Sequence, residues 1–407
     1  MNADNSRRRP VSRRQFLVGT AVALGGSALA LSQRLGRLPA VHGQDPNASS
    51  TPAAFLPYVV RNYPARVRGK VVHVHSDSAT YWTGQPDYWN YVDQDTVNAM
   101  VDRGLMDLTG AASAADAWRA LLPAYQSGQK IAVKVNLNNS HSCTDSDPSI
   151  DALMQPVNAL VRGLLQIGVE PADVCVYDAI RAMPDRFVSQ AQYAMSFFDD
   201  DSCRTDAGFT YMPETQVTFY PPYGVTVAEE HVTDVLMNAE YLINMPIMKG
   251  HHPLAGVTLG FKNHFGTIDQ CWNLHDLVDV VNKPPAYRTD YNPLIDFFRS
   301  PLIGGKTVLT VGDGLLAARY YSQAPEPWNT FGGKVPNSLF FARDPVAADC
   351  VMHDLLLVEL GSDVPEGTNN YLRLASEANL GVFEQGNPWQ LPYGSGYSSV
   401  QYTRVEV

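Results

Sequence analysis

Apolar and polar positions along this chain repeat with two periods that take turns. From Gly69 to His75 (G-K-V-V-H-V-H) they alternate, which predicts a strand with His73 and His75 on one face. Helical spacing follows at about Gln94–Leu108 and Ala114–Gln126, the second closed by Gly128. Gln129–Leu137 (Q-K-I-A-V-K-V-N-L) then reads as a buried strand, Pro148–Ile167 as a helix stopped by Gly168, and Asp173–Asp178 as a second strand. Strand, helix of this length and strand imply a right-handed parallel crossover. Asn136, Asn138 and Asn139 leave the first strand and Asp178 the second, so one rim of the sheet collects their polar groups.

Farther along, Gln216–Tyr220 is a plausible strand, and Tyr241–Ile247 is an apolar run interrupted by Pro246. It leads into a polar turn, Lys249, Gly250, His251 and His252, and then a short helix through Gly256, Gly260, Lys262, Asn263 and His264, closed by Gly266. On that helix Thr258 and Lys262 would share one face, with the two glycines opposite, free for close packing. Leu274–Val281 and Pro293–Phe298 fit short helices. Lys306–Val311 is a strand delivering Gly312-Asp313-Gly314 to its carboxyl end. Ser338–Ala342 is a last strand, followed by a helix to about Leu360 with Asp344 at its cap and Pro345 at its first position. The tail beyond Gly381, rich in Gly, Tyr and Ser, reads as a surface wrap. The fold class is α/β: a mixed, largely parallel sheet with helices on both faces and long loops.

The first 43 residues stand outside this pattern. Arg7, Arg8 and Arg9 precede Ser12-Arg13-Arg14-Gln15-Phe16-Leu17 and an uncharged run from Val18 to Leu31, the layout of a twin-arginine export signal. The run falls short of the roughly 20 apolar residues of a membrane anchor. Residues 44–57 have the composition of a tether, which leaves 58–407 as one large α/β domain. The expectation is a protein exported by the twin-arginine translocase to a periplasmic or extracellular space, with no stable membrane anchor.

Charge narrows the partners. Setting aside residues 1–43, with their seven Arg and Asp4, changes 30 basic and 41 acidic residues to 23 and 40. Such a body is repelled by nucleic acid and anionic lipid, and clustered lysines within it need a reason. The five cysteines, at 143, 175, 203, 271 and 350, have no C-x-x-C spacing, which argues against an iron-sulfur cluster and leaves room for one disulfide. There is no G-x-S-x-G elbow, no Walker-type glycine loop and no G-x-G-x-x-G after a strand.

The strand ends therefore present Lys134 and Asn136, Asp178, Lys249 with His251 and His252, and Asp313, and the short helix adds Lys262, Asn263 and His264. Lysines and asparagine amides at one rim suit a carboxylate or phosphate. The competing reading is that Lys134 and Lys262 only pair with Asp178 and Asp313. The expected substrate-binding residues are Lys134, Asn136, Lys249, Lys262, Asn263 and Asp313. The expected catalytic residues are His251, His264 and Asp178. His251, Asp349 and His353 are the candidates for a metal ion, Asp349 and His353 lying four apart on one helix. His252, His264, His275 and Asp276 are further metal candidates, and so is the pair His73 and His75 on one strand face. Cys271 is a candidate thiol nucleophile or a small buried hydrophobe.

The segments K-V-N-L at 134–137, V-Y-D at 176–178, N-M-P-I-M-K-G-H at 244–251, G-V-T-L-G-F-K-N-H-F-G at 256–266, G-D-G at 312–314 and D-P-V-A-A-D at 344–349 together resemble the family called domain of unknown function 362, over roughly residues 130–355. The resemblance implies a shared α/β core and a rim built from Lys134, Asn136, Asp178, Lys249, His251, Lys262, Asn263, Asp313, Asp344 and Asp349. Members often accompany ferredoxin modules, whose cysteines this chain lacks, and some carry twin-arginine signals. The family supplies no reaction. Two functions stay open: an exported enzyme acting on a small anionic molecule, with a metal or redox cofactor among its options, and an exported protein that binds an anion or cofactor without chemistry.

Overall fold

The computed structural model describes residues 69–252 and 254–407, so the expected signal and tether lie outside the described residues. Alternation along the strands sorts side chains into two hydrophobic layers. Val72 and Val74, Ile131 and Val133, Tyr241 and Ile243, and Leu339 and Phe341 enter one layer; Val71, Ala132, Leu242, Phe340 and Ala342 enter the other. These strands are thus buried on both faces, the state expected of a largely parallel sheet covered by helices.

The strands are β1 (Lys70–His75), β2 (Ile131–Lys134), β3 (Val174–Tyr177), β4 (Ser196–Asp199), β5 (Thr205–Asp206), β6 (Tyr241–Asn244), β7 (Ile247–His252), β8 (Gly256–Thr258), β9 (Thr307–Tyr320), β10 (Ser338–Ala342) and β11 (Gln401–Glu406). They lie in the order β11-β1-β10-β9-β6-β2-β3-β4-β5, with β7 paired to β9 and β8 to β7. β2 runs parallel to β3 and to β6, which realises the crossover read from the sequence. β10 is antiparallel to both β1 and β9, and this makes the sheet mixed.

One face is covered by α1 (Gln94–Thr109), α2 (Ala114–Leu121) and α3 (Met154–Leu165). The Asp93 carboxylate accepts the Thr96 amide to start α1, and Gly110 at φ 74° ends it. The other face carries α4 (Gly260–Asn263), α5 (Pro293–Arg299), α6 (Pro345–Leu360) and α7 (Asn370–Glu377). Most of α6 is buried, as an apolar composition on all sides requires. Its cap, Asp344, accepts Val346 and Ala347 amides on one oxygen and Gly69 and Val382 amides on the other, tying helix, β1 and tail together. Among the described residues no helix is long and apolar enough to cross a membrane.

Five local expectations are corrected. Gln216–Tyr220 forms only an isolated bridge, Gln216 to His231, because no neighbouring strand runs alongside it. Lys249–His252 is strand, not turn: β7 gains a parallel ladder with β9 and an antiparallel one with β8, and tertiary pairing outweighs polar composition. Thr258 accordingly sits in β8, and the helix is a single turn starting at Gly260. Gly312-Asp313-Gly314 lies within β9, a 14-residue strand, rather than beyond its end. The tail, finally, does more than wrap the surface: β11 pairs in parallel with β1 as an edge strand of the sheet.

Candidate functional site

β2, β3 and β6 end side by side, and the register sets Lys134 opposite Tyr177 on one side and Asn244 on the other. Period two turns Lys134 and Asn244 to the face covered by α4. The Lys134 ammonium, fully buried, donates to the Asp178 carboxylate at 3.1 Å and to Asn263 Oδ1 at 3.4 Å. Burial lowers its pKa and the Asp178 charge opposes that shift. Asp178 is fully engaged, since the Leu137 and Ile180 amides also donate to it. Asn263 accepts from Asn136 at 3.2 Å and donates to Asn244 Oδ1 at 2.8 Å and to the Lys134 carbonyl. Gly266 closes the assembly: a Cβ there would sit 2.3 Å from Asp178 Oδ1 and 2.6 Å from Lys134 Nζ, so no larger residue fits over the ion pair.

α4 is placed from the other side by Asp349. Its carboxylate accepts the Gly260 and Phe261 amides and the Tyr371 hydroxyl, while burial pushes its pKa up to about 7. This sets Lys262 and Asn263 over the strand ends.

Beside this buried network lies a narrow cleft of about 40 Å³, lined by Asn136, Asp178, Arg181, His251, Lys262 and Asn263 among others. It shares Asn138, Arg181, His251, Trp272 and His275 with a wider mouth of about 360 Å³. Lys262 is the unusual group. Its ammonium lies 4.1 Å from the centre of the Phe265 ring and has no hydrogen-bond or ion-pair partner among the described residues. Burial, with the nearby charges of Lys249 and Arg181, lowers its pKa to about 8. Arg181 reaches the cleft with its guanidinium donating only to the Asn138 carbonyl and side chain and to the Ile180 carbonyl, and it covers the Trp272 ring at 4.9 Å. His275 stacks on Trp272, so cation, indole and imidazole form one wall.

His251 lines both cavities, with Nδ1 bonded to Thr258 and its ring stacked on Tyr321. Burial and the charges of Lys262 and Lys249 hold its pKa well below the usual value, so at neutral pH the ring is uncharged. Lys249 is fully buried and donates to the Ile150 and Tyr321 carbonyls, its pKa brought down to about 8 by burial.

The structure thus gathers Lys134, Asn136, Asp178, Lys262, Asn263 and His251, with Lys249 behind them, and leaves three expected residues elsewhere. His264 turns into the core against Phe298 and bonds Thr267. Asp313 is enclosed in β9, accepts the Leu315 amide, and burial pushes its pKa up to about 7. His353 bonds Thr368, while the Asp349 carboxylate is taken by the Gly260 and Phe261 amides. Among the described residues no group of three or more His, Cys, Asp or Glu side chains could hold a metal ion. His73 and His75 are drawn instead to Ser338, with Tyr402 and the Pro336 carbonyl as second partners. Cys271 lines the cleft, but burial pushes its thiol up to about 12, which removes the thiolate at neutral pH. Arg181 was not anticipated. Its signal was position: it follows Asp178 by three residues, at a strand's carboxyl end.

The buried imidazoles also set an acid limit. The pKa of His264 is lowered by burial to about 3, so between pH 6.5 and 3 the unfolded chain binds a proton that the folded chain refuses. Stability contributed by the neutral ring is full above pH 6.5 and is lost as pH falls towards 3. His264→Gln is expected to flatten the decline between pH 6 and 4 by about 1.4 kcal/mol per pH unit, read from urea midpoints. Parallel curves for variant and parent would disprove a buried neutral ring.

A family model described as domain of unknown function (DUF362) matches residues 131–354, a span that holds every strand end and helix of the cleft. No curated protein matches the chain.

Proposed function

The chain belongs to that family of unknown function, and since the family name carries no reaction, we propose a function from the chemistry of the cleft: an exported enzyme that acts on a small anionic molecule. Lys262 and Arg181 hold the anion, Asn136, itself held by Asn263, orients it, and His251 moves a proton. The observation that carries this reading is the Lys262 ammonium, half-buried in the lining of a cleft of an acidic protein with no carboxylate among the described residues to neutralise it. A cation partly withdrawn from water without a partner costs stability, and a ligand anion is the partner that would offset the cost. Asp178, the other expected catalytic group, has both oxygens taken by Lys134 and backbone amides. It is therefore assigned to positioning, and His251 and Lys262 remain as proton carriers. Export is supported by the Cys143–Cys203 bridge, since such bonds persist in oxidising compartments.

Thermal unfolding in phosphate, sulfate and oxalate tests the anion site. The wild-type protein should gain about 2.7 kcal/mol at a hundredfold excess over Kd. Lys262→Met should lose this gain with its ligand-free melting point near that of the parent, and His251→Gln should keep it. An undiminished anion response in Lys262→Met would remove the proposal. Turnover lost in His251→Gln with binding kept would favour an enzyme over a simple anion binder.

A further inference from the structure

We propose that Lys262 is an amine nucleophile, and that the ligand class of the cleft is a small oxo acid whose carbonyl carbon forms an imine with Lys262 while its carboxylate lies on Arg181. The inference rests on the anion site above and names its chemistry more closely.

Three observations point to it. Lys262 Nζ rests on the face of Phe265 with no acceptor from the described residues, so no bond need break before its lone pair is used. Lys134 and Lys249, the neighbouring lysines, are both committed to oxygen acceptors, and neither lines the cleft. The cleft also supplies a second cation, Arg181, whose planar fork suits a carboxylate, and the imidazole of His251. A lysine in an apolar seat beside another cation is the setting in which amines become nucleophilic at neutral pH, and the pKa near 8 leaves about a tenth of Lys262 as free amine at pH 7.

The step balances without an outside oxidant or reductant. The Nζ lone pair adds to the carbonyl carbon, and a proton passes from nitrogen to the new alkoxide by way of His251. The carbinolamine then expels its hydroxyl with a second proton as water. A carbon–nitrogen double bond has replaced the carbon–oxygen one, and the imine nitrogen takes up a proton to become an electron sink beside the carboxylate.

Trapping tests this directly. The full protein is incubated with glyoxylate and sodium cyanoborohydride, which delivers hydride to the imine carbon and leaves a carboxymethyl group on the lysine, located by peptide mass mapping. The adduct is expected chiefly on Lys262, to rise between pH 6 and 8, to be competed by oxalate, and to fall at least tenfold in Arg181→Gln. Lys262→Arg keeps the charge but not the nucleophile, so it should retain stabilisation by oxalate and show no adduct at this position. An adduct spread over the exposed Lys283 and Lys334 with none on Lys262 would overturn the imine. If oxalate still stabilised the wild-type protein in that case, the anion site would survive it. Absence of any oxalate effect would instead defeat the anion site itself. Competition by oxalate in the unsubstituted protein keeps the test decisive should a variant fail to fold.

Discussion

Asp178→Asn is expected to destabilise the protein by about 3–5 kcal/mol, the cost of leaving a buried ammonium without its counter-charge. Lys134 is fully buried, and its remaining partners are the Asn263 amide oxygen and its neighbour's carbonyl, Val135, neither of which carries charge. The same substitution turns an acceptor of the Leu137 and Ile180 amides partly into a donor, so the chain leaving β2 loses an anchor as well. Urea unfolding measures the loss. Removing both charges, in Lys134→Met with Asp178→Leu, should recover part of it, because a buried pair replaced by apolar groups of similar volume is often close to neutral. A single substitution that costs under 1 kcal/mol would show that water reaches Lys134 and that the pair is not an enclosed one.

Loss of the Cys143–Cys203 bridge should cost a similar amount. The bridge spans 60 residues of sequence and joins the loop after β2 to the loop after β4. Closing a loop of that length removes conformational freedom from the unfolded chain worth about 4 kcal/mol. Cys143→Ala with Cys203→Ala is therefore expected to lower the urea midpoint strongly, and dithiothreitol should do the same to the parent protein but not to the variant. Thiol counting in denaturant gives an independent reading: three free groups, from Cys175, Cys271 and Cys350, against five after reduction. Five thiols before reduction, in protein recovered from the exported pool, would contradict the bridge.

Where local chemistry and tertiary structure agreed, the sequence was readable to the residue. Asp344 and Pro345 announce α6, and its end at Leu360 follows from the same apolar run. Ile131, Ala132 and Val133 can only be a buried strand, and the crossover to β3 follows from the helix between them. The reading failed where the partner lay far away in sequence. Lys249, His251 and His252 look like a turn because a strand so polar needs neighbours to hold it, and those neighbours, β9 and β8, are not visible from the residues themselves. The site was legible in part for the same reason. Lysines and asparagines at strand ends could be grouped by the rule that carboxyl ends meet at one rim. That Lys134 has an acid partner while Lys262 has none among the described residues could not be told, since it depends on Lys134 ending β2 beside Asp178 beneath α4 while Lys262, on α4 itself, lines the cleft. Asp313 was misplaced by an assumed strand end at Val311, nine residues short of Tyr320, where β9 ends.

The length of β9 has a mechanical consequence. One half of the strand pairs with β6, whose Asn244 supports Asn263 at the floor of the cleft, and the other half with β7, whose His251 forms part of a wall. Floor and wall therefore share a single spine, and they cannot swing apart unless its ladder breaks. The opposite wall, Arg181, Trp272 and His275, belongs to loops and short turns with no ladder of their own. Breathing of the cleft is therefore expected on that side, as a door moves against a fixed jamb, and under the proposed anion site Arg181 would travel on the door while Lys262 stays with the frame.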